Sequence, residues 1–449
     1  MSLPRYAEYK DSGIEWLGEV PAHWEIKRLK QVGRLVGGAG FPHEYQDKEG
    51  EDFPFYKVSD LGISLDGRNM GIPGNSVSRD ISIILGAKII PNGSIIYAKI
   101  GAALLLNRRR VTVIDCCIDN NMSAFVPHLE KISSSWAWYW LSIVDFGKFV
   151  NPGAVPSLSE GDQSILPFLV PDIQEQHAIT AFLDRETAKI DALIAEQERL
   201  IALLAEKRQA VISHAVTKGL NPAAPMKDSG IDWLGEVPAH WEVKRLKFLA
   251  RVQSGVAKGR DLGDVETVVV PFLRVANVQD GYLDLEDVAA IEIGLHEVAR
   301  YLLQPGDVLM NEGGDFDKLG RGHVWNGEIE KCIHQNHVFA VRPEKIEPEW
   351  LNLLTSSESG RFYFMSRSKQ STNLASISST NIYEFPMMCP PVVERQAIVR
   401  HVQVERAKLD TLTAEAQSAI ALLKEHRAAL ISAAVTGKID VRGLVPAAA

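Results

Sequence analysis

The sequence has few cysteines and no long apolar run, and each shortage excludes a class of protein. Only four of the 449 residues are cysteine and none forms a CxxC pair, so no disulfide framework is predicted. No apolar run approaches the ~18 residues of a membrane span, and the first residues lack the basic and apolar regions of a secretory signal. These features predict a protein of the reducing cytoplasm.

Motifs that bind phosphate or metal are also scarce. The glycine-rich segment from Gly37 to Pro42 has neither GxGxxG spacing nor a GK[ST] ending, so it is not a phosphate cradle. Cys332, His334 and His337 lack a fourth ligand and suit alternating strand residues, so no metal site is predicted. The net charge of −9 argues against nucleic acid as a partner of the average surface, but leaves room for a local basic cleft.

The sequence contains an internal duplication. Lys10 to Lys30 reads KDSGIEWLGEVPAHWEIKRLK and Lys227 to Lys247 reads KDSGIDWLGEVPAHWEVKRLK, at an offset of 227 − 10 = 217. PDIQEQHAI from Pro171 and PPVVERQAI from Pro390 repeat at a nearly equal offset, 390 − 171 = 219. With 46% hydrophobic and 23% charged residues, the composition is that of a globular protein, here with two similar units.

Between the repeated segments, both halves mix short strands with turns. Strand-like runs occur at Phe53 to Val58 and Ile81 to Leu85, and a turn feeding a strand spans Ile89 to Gly101. Trp136, Tyr139 and Trp140 fall at helical spacing, which favours core packing over base stacking. In the second half, Arg274 matches Lys57 and Gln335-Asn336 matches Asn120-Asn121, so the scaffold is kept while the surface diverges.

Each half ends in a long amphipathic helix. Apolar residues recur every three or four positions from about Asp172 to Ala215 and again after Ile398, without internal proline or glycine. Each pattern stops at a glycine, Gly219 or Gly437. At ~1.5 Å per residue such a helix is a rod of roughly 65 Å, and its apolar stripe requires a partner helix. The other copy is the obvious partner, and an antiparallel pair would place Ala195 opposite Leu412 to Ala416.

Three features together point to a known family: the repeated blocks, the PNGSIIYAKIG and PGDVLMNEGG turns, and the junctions before the helices. In these features the sequence resembles the specificity subunit of type I restriction-modification systems. The resemblance covers nearly the whole chain. It implies an α+β protein with two pseudo-symmetric α/β target recognition domains, separated by two long helices that form an antiparallel coiled coil. Each domain would read one half of a bipartite, asymmetric site in double-stranded DNA.

The resemblance also implies domain boundaries and partners. The expected divisions are a repeated segment at 1–25, recognition domains at 26–170 and 243–389, long helices at 171–220 and 390–440, a linker with the second repeated segment at 221–242, and a tail at 441–449. The expected partners are two modification subunits, which methylate adenine, and restriction subunits. S-adenosylmethionine, ATP and Mg²⁺ would bind to those partners, with no cofactor on this chain.

A non-catalytic role agrees with the absence of an Asn-Pro-Pro-aromatic or Asp-Pro-Pro-aromatic tetrad and of a Walker loop. Two alternatives stay open. Glu25-x-Lys27, repeated as Glu242-x-Lys244, resembles part of a nuclease metal site, which would make the chain a magnesium-dependent nuclease. A coiled-coil adaptor that binds only protein is the other alternative. The Pro171-Asp172 and Asn311-Glu312 pairs depart from the usual family pattern, and the second departure weakens any contact carried over to that strand end.

The candidate DNA-binding residues carry forked donors or mixed donor and acceptor groups, which can read base edges, or lysine ammonium groups that suit phosphates. In the first half they are Lys57, Ser59, Lys99, Arg108, Arg109, Arg110, Asn120 and Asn121. In the second half they are Arg274, Asn277, Asn311, Lys318, Arg321, His323, Gln335, Asn336, Arg367, Lys369 and Asn373.

Overall fold

The structure, a computed structural model, describes residues 3–150, 155–259, 261–314, 316, 319–370 and 375–444. The chain divides into two compact units. The first unit is Met1–Glu196 with Ala419–Ala449, and the second is Gln197–Ser418. The division crosses both long helices, so each unit contains one β-rich domain and a part of each helix.

The first unit contains short strands and helices. Its strands are β1 (Tyr9–Asp11), β2 (Glu19–Pro21), β3 (Glu25–Arg28), β4 (Gly33–Gly37), β5 (Phe53–Tyr56), β6 (Ser76–Val77), β7 (Ile95–Ala98), β8 (Arg109–Val111), β9 (Cys117–Ile118), β10 (Met122–Pro127) and β11 (Pro167–Val170). Its helices are α1 (Leu29–Val32), α2 (Arg79–Ile84), α3 (Ala102–Leu105), α4 (Ser134–Ile143), α5 (Glu160–Ile165) and the start of α6 (Ile173–Lys218). A 3₁₀ turn, Val58–Gly62, follows β5.

The central strand of the first unit is buried on both faces. The sheet has the order β4-β10-β7-β8, and every residue of β7 is buried. Successive side chains of a strand point to opposite faces. Ile95 and Tyr97 accordingly join the core that contains the tryptophans of α4, whereas Ile96 and Ala98 join a second core with Tyr56. The apolar run of β7 is explained by these two cores.

The second unit repeats these elements with additions. Its strands are β12 (Met226–Asp228), β13 (Glu236–Pro238), β14 (Glu242–Arg245), β15 (Ala250–Ser254), β16 (Thr267–Leu273), β17 (Ala289–Gly294), β18 (Val308–Asn311), β19 (Gly313–Gly314), β20 (Gly322–Val324), β21 (Ile333–His334), β22 (Val338–Pro343), β23 (Lys369–Gln370), β24 (Ala375–Ser376) and β25 (Pro386–Cys389). Its helices are α7 (Leu295–Tyr301), α8 (Pro348–Ser356), α9 (Glu358–Arg367), α10 (Ser379–Tyr383) and the start of α11 (Val392–Val435).

The two units have the same sheet topology. The order β15-β22-β18-β20 corresponds to β4-β10-β7-β8, with antiparallel pairing throughout. The parallel pair β16–β21 corresponds to the parallel pair β5–β9. The duplication predicted from the sequence therefore extends to strand order and direction.

The repeated sequence block fastens each domain to its long helix. β3 pairs with β11, the last strand before α6, and β14 pairs with β25, the last strand before α11. Trp24 is fully buried and meets Trp136 edge to face, with ring centroids 5.6 Å apart. Trp241 meets Trp350 in the same way at 6.2 Å. Trp24 and Trp241 are therefore core residues of their units.

A histidine of each block also contacts the first turn of the long helix. His23 Nε2 lies 2.9 Å from a carboxylate oxygen of Glu175, and His240 Nε2 lies 2.7 Å from one of Glu394. Glu175 and Glu394 both lie in the first turn of their helix, where a negative charge is favourable. The duplicated block therefore orients the start of each helix.

The two long helices are present as predicted. α6 has 46 residues and α11 has 44. Gly219 and Gly437 follow the helices with φ of +74° and +71°, the left-handed conformation that glycine adopts without strain. Within the first unit, α6 packs on the end of α11 through a core that includes Ile190 and Ile431.

Two ion pairs show how the helices run. In the first unit Asp191 accepts a hydrogen bond from Arg427 at 2.8 Å, and in the second unit Arg208 lies 3.3 Å from Asp410. Positions that increase along α6 are thus paired with positions that decrease along α11, so the pairing is antiparallel. The two pairs are copies of one another, because 191 + 219 = 410 and 208 + 219 = 427.

One predicted strand is wrong. Residues 81–85 belong to α2 and its C-terminal end rather than to a strand. Ser78 precedes the helix and its hydroxyl accepts a hydrogen bond from the backbone N–H of Ile81, which starts the helix locally. The exposed Ile83 and Ile84 do not alternate between a buried and an exposed face as strand residues would. A short apolar run does not distinguish a helix from a strand.

Across the described ranges, no helix has the length and apolar character that would let it cross a membrane.

Candidate nucleic-acid interface

Polar side chains from separate elements meet at one end of the first domain. The turn Asp119–Asn121 leads into β10 at this end, where β4 and β7 finish and the residue after β5 is Lys57. The N–H of Asp119 donates to the carbonyl of Tyr56 at 2.9 Å, and the N–H of Lys99 donates to that of Asn121 at 2.9 Å. These bonds bring Lys57, Lys99 and the turn together, and we call this end the turn edge of the first domain.

A close backbone approach supports the turn edge. The N–H of Ala39 donates to the carbonyl of Ile118 at 3.0 Å. A Cβ on the preceding residue, Gly38, would lie 2.0 Å from the carbonyl oxygen of Asp119, so only glycine fits there. The glycine-rich segment after β4 therefore serves backbone packing beneath the turn.

The second domain builds an equivalent turn edge from Gln335, Asn336 and His337, with Arg274 and Glu312 beside them. The N–H of Gln335 donates to the carbonyl of Leu273 at 2.8 Å, and the N–H of Glu312 donates to that of His337 at 2.9 Å. A Cβ on Gly255 would lie 2.0 Å from the carbonyl oxygen of His334, as at Gly38. The backbone of the two turn edges is therefore the same.

The side chains at equivalent positions differ. The strand registers and backbone hydrogen bonds define six pairs of equivalent residues, the first domain named first in each pair. They are Lys57 and Arg274, Lys99 and Glu312, Asp119 and Gln335, Asn120 and Asn336, Asn121 and His337, and Arg108 and Arg321. The sequence comparison matched Asn120-Asn121 with Gln335-Asn336, which is wrong by one residue. One domain thus presents two lysines where the other presents an arginine and a glutamate.

Half of the predicted residues lie at the turn edges. Lys57 and Lys99 are half-buried, with the ammonium of Lys57 donating to Gln46 at 3.2 Å. Arg108 is exposed and its guanidinium lies beside Gly62, at the end of the 3₁₀ turn that follows Lys57. The other predicted residues that lie at or next to the turn edges are Ser59, Asn120, Asn121, Arg274, Arg321, Gln335 and Asn336.

Two more predicted residues lie near the second turn edge. Lys369 is exposed in β23, which pairs with β24, and β24 pairs in turn with β19 directly after Glu312. Arg367 is exposed at the end of α9, with its guanidinium 4.9 Å from the ring centroid of Tyr363. Lys318 and Asn373 lie outside the described residues.

Three predicted residues are structural instead. Arg109 is 3% exposed, donates to the carbonyl of Asn107 at 2.6 Å and to that of Val144, and lies 3.9 Å from the ring centroid of Phe146. Burial lowers the pKa of Arg109 to about 10. Its guanidinium lies in the interior, where both terminal nitrogens donate to backbone carbonyls, and is not available to a ligand at the surface.

The carboxamides of Asn277 and Asn311 are likewise turned inward. Asn277 Nδ2 donates to the carbonyls of Asp284 and Asp287, each at 2.9 Å, and its Oδ1 accepts from the N–H of Arg274. Asn311 Nδ2 donates to the carbonyl of Val278 at 2.8 Å. Both side chains hold the loop that follows β16, a role that polar residues at the end of an apolar run do not reveal by sequence.

Arg110 and its counterpart His323 lie one step further from the turn edges, inside β8 and β20. The guanidinium of Arg110 donates to the carbonyl of Arg109 at 3.0 Å, and burial followed by the charge of Arg108 lowers the pKa of Arg110. Burial followed by the charge of Arg406, on α11, lowers the pKa of His323. β8 and β20 run away from the turn edges, so Arg110, opposite Ile96, and His323, opposite Leu309, lie further along their strands than Arg108 and Arg321.

One feature of the second turn edge was not predicted. His337 Nδ1 lies 2.7 Å from a carboxylate oxygen of Glu312, and both side chains belong to the turn edge. His337 was considered only as a metal ligand, and the one-residue shift between the repeats hid its equivalence to Asn121. Aligning the repeats through Pro127 and Pro343, at an offset of 343 − 127 = 216, pairs Asn121 with His337 and would have found it.

The described residues do not bring metal ligands together. Within the described part of the chain, no three His, Cys, Asp or Glu side chains are placed to hold a metal ion. His334 is buried with Nδ1 directed to the carbonyl of Val338 at 2.7 Å, whereas His337 points to Glu312. In the nuclease-like pattern, Lys27 Nζ lies 2.5 Å from the carboxylate of Glu25 itself.

Comparisons with known proteins agree on one family. Residues 21–201 match the family of the type I restriction modification DNA specificity domain. The chain is 27% identical over 334 residues to the Type I restriction enzyme EcoKI specificity subunit of Escherichia coli (strain K12), and 26% identical over 321 residues to the StySPI specificity subunit of Salmonella potsdam. Each alignment covers 71% of this chain and 66% of the relative, slightly less than two thirds of its length.

A solved structure has the same fold. A chain from a study of complex assembly and conformational transition of the type I R-M system superposes with a TM-score of 0.62, covering 93% of this chain and 98% of that one. The sequences are 16% identical, so the likeness concerns the fold.

Proposed function

Because this chain belongs to the family of type I restriction-modification specificity subunits, we propose that it is the DNA-recognition subunit of such a complex and has no catalytic site of its own. The observation that carries the proposal is the pair of turn edges. Each is built on the same backbone hydrogen bonds, yet the side chains differ at every equivalent position except Asn120 and Asn336 and the arginines Arg108 and Arg321. Two such surfaces suit two different half-sites of one bipartite, asymmetric DNA site.

These side chains have the chemistry for this role. A carboxamide can make two hydrogen bonds with adenine, and guanidinium and ammonium groups bond phosphate oxygens. We assign base reading to Asn120 and Asn336, and phosphate contacts to Arg108, Arg321, Lys57 and Lys99. The lysines sit beside a turn in a chain of net charge −9, so the positive potential is local to the turn edge.

The helices and partners complete the proposal. In each unit the two long helices pack together, and we assign to them the roles of setting the DNA spacer between half-sites and of docking two modification subunits. Those subunits would bind S-adenosylmethionine and methylate adenine, and restriction subunits would use ATP and Mg²⁺.

The nuclease alternative has less support. In both copies of the Glu-x-Lys pattern the lysine forms an ion pair with the glutamate of its own motif. A nuclease site of this kind also needs an acid upstream of the motif, and Asp11, at that place in the first copy, accepts a hydrogen bond from the N–H of Gly13. Purified chain incubated with Mg²⁺ and plasmid DNA tests this alternative, and cleavage that disappears in Glu25→Gln would support it. The protein-only adaptor is favoured instead if the assembled complex shows no salt-sensitive DNA binding.

Methylation mapping tests the main proposal. The chain is assembled with its modification partners, incubated with genomic DNA and S-adenosylmethionine, and the methylated adenines are mapped. We expect one bipartite motif. Asn120→Ala should relax the motif in one half only, and Asn336→Ala, its matched control in the other domain, should relax only the other half. Relaxation of both halves by either variant would contradict the assignment of one half-site to each domain.

A further inference from the structure

The second unit contains a cavity in which arginines converge. The cavity has a volume of about 300 Å³ and is lined by both long helices, the loop at Gly281, α8 and α9. Three of its lining residues are Arg208, Arg361 and Arg406. The terminal nitrogens of Arg406 and Arg208 lie 3.0 and 3.9 Å from the position that a Cβ on Gly281 would occupy. Two guanidinium groups are thus directed at the same point.

The acids of the cavity do not balance its arginines. Asp280 forms an ion pair with Arg361, and Asp410 lies 3.3 Å from Arg208. Arg406 forms no hydrogen bond or ion pair with any residue that the structure describes. Burial, followed by the charge of Arg208, lowers the pKa of Arg406. The charges of Asp410 and Asp280 oppose this shift, but each carboxylate is already paired with another arginine, so three guanidinium groups of the cavity face two carboxylates.

A buried amide in the same cavity also lacks a partner. Asn352 is 6% exposed, and its side-chain oxygen has no hydrogen-bond donor among the described residues. Buried polar side chains nearly always have a partner. The two ends of a carboxamide are assigned from their neighbours, so Asn352 can offer either an acceptor or a donor to a bound group.

The equivalent place in the first unit is balanced. The Arg208–Asp410 pair corresponds to Arg427–Asp191, but Arg406 corresponds to Thr187, since 406 − 219 = 187. Thr187 is buried and its hydroxyl donates to the carbonyl of Leu183 at 2.7 Å. The extra positive charge is therefore specific to the second unit and is not a requirement of the helix pairing.

We propose that this cavity binds the phosphate group of a small molecule, held between Arg406 and Arg208 with Asn352 beside them. Guanidinium groups are suited to paired hydrogen bonds with phosphate oxygens. Ile201, Leu204 and Leu409 line the rest of the cavity, and its volume is that of a small ligand site. A phosphomonoester with a compact apolar part fits this combination. The turn edges contribute no residue to it, so the site is separate from the proposed DNA contacts.

The test is thermal unfolding of the full chain with inorganic phosphate, compared with chloride at the same ionic strength. A ligand that binds only the folded state raises the melting temperature with its concentration. We expect a saturable rise of about 2 °C in the wild-type chain and none in Arg406→Thr, which installs the residue of the first unit. Arg427→Gln breaks the equivalent ion pair of the first unit and should respond to phosphate as the wild type does.

A second variant, a direct binding measurement and two competitors complete the test. If Arg406→Thr does not fold, Arg406→Gln replaces it, and phosphorus NMR line broadening of added phosphate reports binding directly. A phosphate response in the Arg406 variants equal to that of the wild type would overturn the proposal, as would no response in the wild type. Displacement of bound phosphate from the wild-type chain by a short DNA duplex, but not by adenosine monophosphate, would assign the site to the DNA backbone and overturn the small-molecule proposal. Competition by adenosine monophosphate identifies a free metabolite.

Discussion

At the scale of single residues, neighbours in the sequence have opposite roles. Arg108 is exposed at the turn edge, whereas Arg109 is buried and donates to the carbonyls of Asn107 and Val144. All three arginines of this run were candidate DNA-binding residues, and the sequence does not reveal that the middle one is internal. The candidate site could be predicted as a set of turns, but the inward or outward direction of each side chain depends on strand pairing that the sequence does not specify.

Arg108→Ala and Arg109→Ala form a matched pair of variants. In the assembled complex, Arg108→Ala should weaken DNA binding and lower the slope of log affinity against log salt by about one, with an unchanged melting temperature. Arg109→Ala should lower the free energy of unfolding by about 2 to 3 kcal/mol, because it removes charged hydrogen bonds and leaves carbonyls unpaired. Binding isotherms at several salt concentrations and urea unfolding measure the two effects. The opposite assignment of effects would place Arg108 in the interior.

His334 gives the second unit a stability that depends on pH. Burial lowers the pKa of His334 to about 4 from 6.5, so the folded chain keeps this histidine neutral while the unfolded chain protonates it below pH 6.5. Stability should therefore fall as the pH decreases from 6.5 to about 4, by up to roughly 3 kcal/mol, and then level off. The first domain has Ile118 at the equivalent position, so His334→Ile is the natural control. Urea unfolding between pH 4 and 7 should show a shallower dependence in this variant.

At the scale of elements, helix existence could be predicted but helix register could not. Apolar spacing and the terminal glycines located α6 and α11 to within a few residues. The apolar stripe alone placed Ala195 opposite residues 412–416. In an antiparallel helix pair the numbers of opposite residues have a constant sum, so the Asp191–Arg427 pair places Ala195 opposite Leu423, because 191 + 427 equals 195 + 423. An apolar stripe repeats every turn, so it allows several registers, and the charged pairs select one.

A paired insertion tests the helices as the determinant of spacing. Four residues inserted after Ala195 together with four after Leu423 lengthen both helices by about 6 Å while their pairing is kept. Methylation mapping should then report the same two half-sites at a DNA spacer changed by about one or two base pairs. Either insertion alone shifts the apolar stripe out of register and should reduce stability. Changed half-sites at the old spacing would show that the helices do not set the spacing.

At the scale of the whole molecule, the duplication is more complete in structure than in sequence. The topology, the tryptophan contact of each block and the histidine contact with each helix are all made twice. Sequence identity revealed the block, but the equivalence of the two turn edges became visible only through backbone hydrogen bonds. The offset between equivalent residues of the two repeats changes from 274 − 57 = 217 to 312 − 99 = 213, because the connections between strands differ in length. A single sequence does not show where these differences in length lie.

The ion pairs between the helices have a consequence for half of the chain. Asp191 and Arg208 lie on one helix, and their copies Asp410 and Arg427 lie on the other, so each repeat carries both partners of the pair. A single repeat is therefore complementary to itself, and two copies of residues 1–220 should form a symmetric homodimer in which Asp191 binds Arg208 of the second copy in both directions. Light scattering should give the mass of a dimer, which Asp191→Arg dissociates and Asp191→Arg with Arg208→Asp restores. The two-domain chain would then be the covalent form of an isologous dimer whose halves were free to diverge in what they recognise.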